Sequence, residues 1–163
     1  MSLSPSPLRM SLLDRLIDEA PELSFDPPRS RTEELRAIRE TFRRDIEAIL
    51  NTRRRCLSQP TALRALKAAL PYFGVPDLVG MSLATQRERA ELLRSLEETI
   101  RTFEPRFRSV ELSLVQARDP LDRILRIRIE AVTQIEHALG PIVLETALDP
   151  ATRTFSVMER DDV

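Results

Sequence analysis

The stretch Phe103-Glu104-Pro105-Arg106-Phe107 divides the chain into two periodicities. Before it, Leu93, Leu96, Ile100 and Phe103 recur at three- and four-residue steps, which predicts a helix with one apolar face. After it, Val110, Leu112 and Leu114 alternate with Ser109, Glu111 and Ser113, which predicts a strand. Pro105 cannot continue the helix and biases Glu104 toward extended backbone, so the junction is stiff. It is expected to display two opposite charges, Glu104 and Arg106, on a rigid corner.

Nearer the N-terminus, Ser30-Arg31-Thr32-Glu33 has the spacing of a capping box and predicts a long helix. Leu35, Ile38, Phe42, Ile46 and Ile49 form its buried stripe. Arg36 with Glu40, Glu40 with Arg44, and Arg43 with Glu47 read as ion pairs on its solvated face. A shorter amphipathic helix, with Leu12, Leu13, Leu16 and Ile17, is opened by Ser11 with Asp14 and stopped by Pro21. It reads either as a docking helix or as cover for the core. Between Gln59 and Gly80, Leu63, Leu66 and Leu70 allow one helical piece, after which Pro71, Gly74, Pro76 and Gly80 impose turns. Thr85 with Glu88 is a second capping box, opening the helix that ends at Glu104.

The last third alternates three more times: Leu125, Ile127, Ile129 and Ala131; Ile142, Leu144, Thr146 and Leu148; Phe155 and Val157. Turns at Arg118-Asp119-Pro120, Gly140-Pro141 and Asp149-Pro150-Ala151-Thr152 are short enough for antiparallel neighbours. The fold class is α+β, with N-terminal helices packed on one face of a small, mainly antiparallel four-stranded sheet. Arg126, Arg128, Glu130 and Glu145 occupy the other face. Residues 1–10 form an expected disordered tail, 11–158 a single domain and 159–163 an acidic tail. The last strand is expected to leave an edge uncovered by the chain, with Phe155 and Val157 setting the register of an incoming strand.

Composition narrows the function. In 163 residues the formal net charge is -1, so no overall field attracts nucleic acid or an anionic membrane. There is one tyrosine and no tryptophan, which argues against stacking platforms for bases or sugars. Of the 25 basic residues only Lys67 is a lysine, a bias that suits planar, bidentate protein contacts and is also what codon usage produces. The single cysteine, Cys56, admits no internal disulfide and reads as a core residue of a protein in a reducing compartment. No secretory signal opens the chain, and no apolar run reaches the roughly 18 residues of a spanning helix. A cytoplasmic location and no direct membrane insertion follow as expectations.

Catalytic groups are sparse. His137 is the only histidine, and it lies beside the turn Gly140-Pro141 with no companion nucleophile. The three glycines are scattered, so no phosphate-cradling loop exists and no cofactor is expected. No metal site is expected either. Glycoside hydrolysis needs one protonated and one ionised carboxyl. Glu104 is the obvious acid, yet neighbouring Arg106 favours its ionised form. Arg53-Arg54-Arg55 is the sharpest basic cluster and reads as a helix end, where cations meet the negative end of the dipole, or as a contact to a partner's carboxylates.

The order of Ser11-Leu12-Leu13-Asp14-Arg15-Leu16, Leu50-Asn51-Thr52-Arg53-Arg54-Arg55, Tyr72-Phe73-Gly74-Val75-Pro76-Asp77-Leu78 and Glu104-Pro105-Arg106 resembles TssE, the small baseplate wedge family of type VI secretion systems. TssE is similar in turn to a wedge protein of contractile phage tails. The resemblance runs from about Ser11 to about Met158. It implies a structural, non-enzymatic subunit that joins wedge partners TssF and TssG beneath the contractile sheath. Glu104, Pro105 and Arg106 match the family's Glu-Pro-Arg motif, implying a contact that holds wedge and sheath base together. Arg53 and Arg54 match its Asn-Thr-Arg-Arg segment. The chain departs from the family's Tyr-Gly-Leu-Pro-Asp form by inserting Phe73 and by having Val75 for leucine. The alternatives of another class are a glycan hydrolase of lysozyme type and a regulatory adaptor of related fold.

Overall fold

A computed structural model describes residues 12–17, 21–22, 30–55, 64–77, 85–115, 124–134, 140–149 and 152–159. Cys56, His137, the turn at Arg118-Asp119-Pro120, the expected N-terminal tail and residues 160–163 of the expected acidic tail lie outside these residues, whereas Glu159 is described and ends a strand. Contacts group residues 1–42 and 43–163 into two units, with the second helix running through both.

In the first unit, helix α1 spans Leu12–Leu16 and α2 begins at Arg31. The capping box at Ser30 forms as its spacing predicts. Ser30 N donates to Glu33 Oε2 at 2.7 Å and Glu33 N to Ser30 Oγ at 3.3 Å, occupying amides that no helical carbonyl can reach. Asp14 is bound away from its own helix: the Thr41 hydroxyl donates to Asp14 Oδ2 at 2.9 Å and to the Ala37 carbonyl at 3.1 Å. Leu13, Leu16 and Ile17 are exposed, whereas Ile38 and Phe42 are buried.

The second unit holds the remainder of α2, which runs to Asn51, helix α3 at Gln86–Phe103, and four strands. These are β1 (Phe107–Val115), β2 (Leu125–Thr133), β3 (Pro141–Leu148) and β4 (Phe155–Glu159). They form one antiparallel meander in the order β1-β2-β3-β4. The fold is α+β. Alternation works as expected: Ile127, Ile129, Ala131, Ile142, Leu144, Thr146, Leu148, Phe155 and Val157 are buried. On the opposite face Arg128 sits across from Glu145 in register and bonds it at 3.3 Å. Ile46, Ile49 and Leu50 of α2 and Leu92, Leu96 and Ile100 of α3 complete the core. The α3 stripe is thus turned by one residue from the expected Leu93, Leu96, Ile100 and Phe103. Leu92 takes the position four residues before Leu96, leaving Leu93 and Phe103 half-buried.

Thr85 and Glu88 close the second capping box, with Glu88 N donating to Thr85 Oγ1 at 3.2 Å and Thr85 N to Glu88 Oε2 at 2.9 Å. Between α2 and α3 the single expected helical piece is two 3-10 turns, Arg64–Ala68 and Leu70–Tyr72. They are followed by Gly74 at φ +98°. A Cβ there would lie 2.2 Å from the Thr52 carbonyl oxygen, so only glycine lets this loop approach the end of α2. The approach is fastened by Val75 N to Thr52 O at 2.9 Å and Arg54 N to Val75 O at 2.8 Å.

The expectation of an uncovered β4 is corrected. Asn51 Nδ2 donates to the Phe155 carbonyl at 2.9 Å, and Phe155 N donates to Asn51 Oδ1 at 2.8 Å. One helical turn back, Val157 N donates to Glu47 Oε1 at 3.4 Å, and one further back Arg43 Nη1 donates to the Val157 carbonyl at 3.2 Å. Arg43, Glu47 and Asn51, spaced by four along α2, therefore satisfy the strand edge as another strand would. Arg43 and Glu47, which read as a solvated pair, bond each other at 2.9 Å while doing so. Phe155 and Val157 turn their backbone groups to α2, so Ser156 turns its own toward β3.

Candidate functional site: the Glu-Pro-Arg corner

Glu104 is the residue at which α3 stops. Its N–H still bonds the Ile100 carbonyl at 2.8 Å, but its φ of -121° and ψ of 75° leave the helix, and Pro105 prevents resumption. Phe107 begins β1 two residues later, and the Gln134 amide bonds the Arg106 carbonyl at 2.8 Å, tying the corner to the end of β2. Pro105 is exposed and Arg106 half-buried.

The expected display of both charges is corrected for Glu104, which is 4% exposed. Its carboxylate is clasped by its neighbour: Arg106 Nε donates to Oε1 at 2.6 Å, Arg106 Nη2 to Oε2, and the Arg106 amide to Oε1 at 3.3 Å. Arg106 Nη2 also donates to Asp45 Oδ2 on α2 at 2.5 Å. This planar fork suits arginine and would be lost with lysine. The hydrogen bonds to Glu104 hold the guanidinium above its ordinary pKa; burial opposes them, and Asp45 adds to the rise. Arg106 therefore stays charged throughout the working pH range.

Beside this triad lies a cleft of about 350 Å³ lined by Asp45, Ala48, Ile49, Phe73, Phe103, Glu104, Pro105 and Arg106. Phe73 and Phe103 meet edge to face, ring centroids 5.1 Å apart, the favoured aromatic arrangement. Sequence reading found the corner and Phe73, but not Asp45. Nothing in a sequence pairs residues 61 positions apart.

Arg53 and Arg54 lie beyond the end of α2 rather than in its last turn. Arg53 still serves the helix end, with Nη1 on the Leu50 carbonyl at 3.4 Å, and its Nη2 reaches the Arg153 carbonyl. Its backbone bridges to Val75. The Arg54 amide is bound, while its half-buried guanidinium makes no hydrogen bond among the described residues. The structure does not gather Arg53, Arg54, the corner and β4 into one patch of exposed groups: Phe155 and Val157 are 2% and 4% exposed. Among the described residues no cluster of three or more His, Cys, Asp or Glu could hold a metal, and no helix is long and apolar enough to cross a membrane.

Residues 36–138 match the family model described as baseplate wedge protein gp25. The chain belongs to this family. The matched stretch contains Asp45, Arg53, Arg54 and the Glu104-Pro105-Arg106 corner, and it ends before β3. It is the wider family to which the TssE resemblance points, and membership carries a structural role in a contractile baseplate. No curated protein and no solved structure matches the chain.

Proposed function

We propose that this wedge protein serves a type VI secretion baseplate on the cytoplasmic side of the membrane, in the place of TssE. It joins TssF and TssG to the base of the sheath and performs no catalysis. The observation that carries this reading is the corner: within the family-matched stretch, Glu104 and Asp45 fix Arg106 from two elements, and exposed Pro105 and the cleft sit beside it. Such a preset surface loses little side-chain entropy on binding. Arg53 and Arg54 are the second proposed contact, Arg54 being the one with a guanidinium to offer. For the sheath, the docking edge is β1. Arg101 Nη2 bonds the outward Val110 carbonyl at 2.8 Å, and beyond that point the β1 backbone receives no side chain among the described residues.

The glycan hydrolase reading loses support at the same residues. Two carboxylates, Glu104 and Asp45, do converge, but on one guanidinium nitrogen, so Arg106 fills the space where a glycosidic bond would have to lie. The test is co-purification of the chain with TssF and TssG, together with sheath assembly in cells lacking the gene. Wild-type chain should recover both. A folded chain that recovers neither, or that releases muropeptides from peptidoglycan, would overturn the reading.

A further inference from the structure

The cleft beside the corner has a composition that selects its occupant. Ala48, Ile49, Phe73, Phe103 and Pro105 give it apolar walls, and its charged lining consists of two carboxylates and one guanidinium. Glu104 is consumed by Arg106. Asp45, about a third exposed, gives Oδ2 to Arg106, but Oδ1 accepts no hydrogen bond among the described residues. Arg44 Nη2 stands 3.7 Å from Oδ1, within ion-pair range but beyond hydrogen-bonding distance. The lining therefore carries one unit of negative charge in excess and one acceptor with room for a donor.

We propose that the cleft receives a long basic side chain, arginine or lysine, from a wedge partner, with its head on Asp45 Oδ1 and its aliphatic stem along Phe73, Phe103 and Pro105. Such side chains bury their methylenes against apolar surface while the charge finds a partner, and the paired phenyl rings favour a nearby cation. A wholly apolar occupant would strip water from Asp45 without replacing its hydrogen bond. An acidic one would face two carboxylates. Asp45 thereby gains two tasks: it holds Arg106 and it binds the partner.

This inference rests on the wedge reading, and the probe is the purified TssF–TssG complex titrated with full-length chain at low and at raised salt. Two variants separate the components. Asp45→Asn removes the charge at nearly constant shape. Ala48→Trp fills the cleft from an exposed helical position and leaves every charge in place. Both should weaken binding by about tenfold or more, and the salt dependence of the wild type should shrink in Asp45→Asn. Thermal unfolding of each variant separates a binding loss from a folding loss, and Ala48→Trp should unfold close to the wild type. If both variants bind as the wild type does, the cleft is not the contact while the wedge reading stands. If Ala48→Trp weakens binding but Asp45→Asn and salt have no effect, the occupant is apolar and the proposal falls. A folded wild type that does not bind TssF–TssG at all would remove the wedge reading and, with it, this partner.

Discussion

At the scale of single residues, the acid of the Glu-Pro-Arg motif acts inward. Glu104 is buried and saturated by Arg106, so removing Arg106 leaves a buried carboxylate without compensation, and removing Glu104 leaves Arg106 with Asp45 alone. Breaking such a buried pair typically costs about 3–5 kcal/mol, against 0–1 for exposed pairs. Glu104→Ala should therefore lower the urea unfolding free energy by roughly 3 kcal/mol, a figure at the lower end because Arg106 keeps Asp45 and some water. Arg106→Lys should recover only part of Arg106→Ala, since an ammonium cannot make the bidentate fork. A Glu104→Ala variant as stable as the wild type would show that the clasp contributes nothing to folding. Gly74 makes a second case. Ala there meets both a left-handed φ and the Thr52 carbonyl, so Gly74→Ala should cost about 2 kcal/mol or more in the same measurement. Sequence reading recognised Gly74 as a turn because glycine punctuates loops. That the turn leans on Thr52 depends on tertiary contact, which leaves no local mark.

At the scale of elements, α2 does two jobs with two faces. Its apolar face carries Ile46, Ile49 and Leu50 into the core, and one polar edge carries Arg43, Glu47 and Asn51 onto β4. The apolar face was legible in the three- and four-residue spacing. The polar edge was not, because an i,i+4 Arg-Glu pair looks the same in sequence whether it faces water or a strand. Strand positions were legible for the opposite reason: alternation has a period of two wherever one face is buried, and all four strands show it. The Asn51 clasp can be isolated. Asn51→Ala removes two hydrogen bonds, worth roughly 1 kcal/mol each, and should speed amide exchange at Phe155 by about thirtyfold. The Ser156 amide, turned to β3, should change far less. Equal acceleration at both residues would mean that the clasp and the ladder open together, and that Asn51 holds the whole strand rather than its edge.

At the scale of the molecule, a meander of four strands has two edges, and this chain treats them differently. The β4 edge is occupied by α2, and a strand arriving there would first have to displace the Asn51, Glu47 and Arg43 side chains. The β1 edge is held by Arg101 at Val110. Because backbone groups alternate sides along a strand, the outward carbonyl of Val110 sets Leu112 and Leu114 outward as well. Unpaired groups on such an edge template an incoming strand, and backbone hydrogen bonds then supply affinity. In the isolated chain the Leu112 and Leu114 amides should accordingly exchange quickly, whereas those of Phe155 and Val157, already donating to α2, should be slow. Added sheath subunits should protect Leu112 and Leu114 and leave Phe155 and Val157 as they were, read residue by residue by hydrogen exchange. Ser156→Pro, which removes a donor facing β3, should reduce the yield of folded chain rather than sheath attachment by the chain that folds. New protection confined to β4 on sheath binding, with β1 unchanged, would return the docking edge to the far side of the sheet and require α2 to release it.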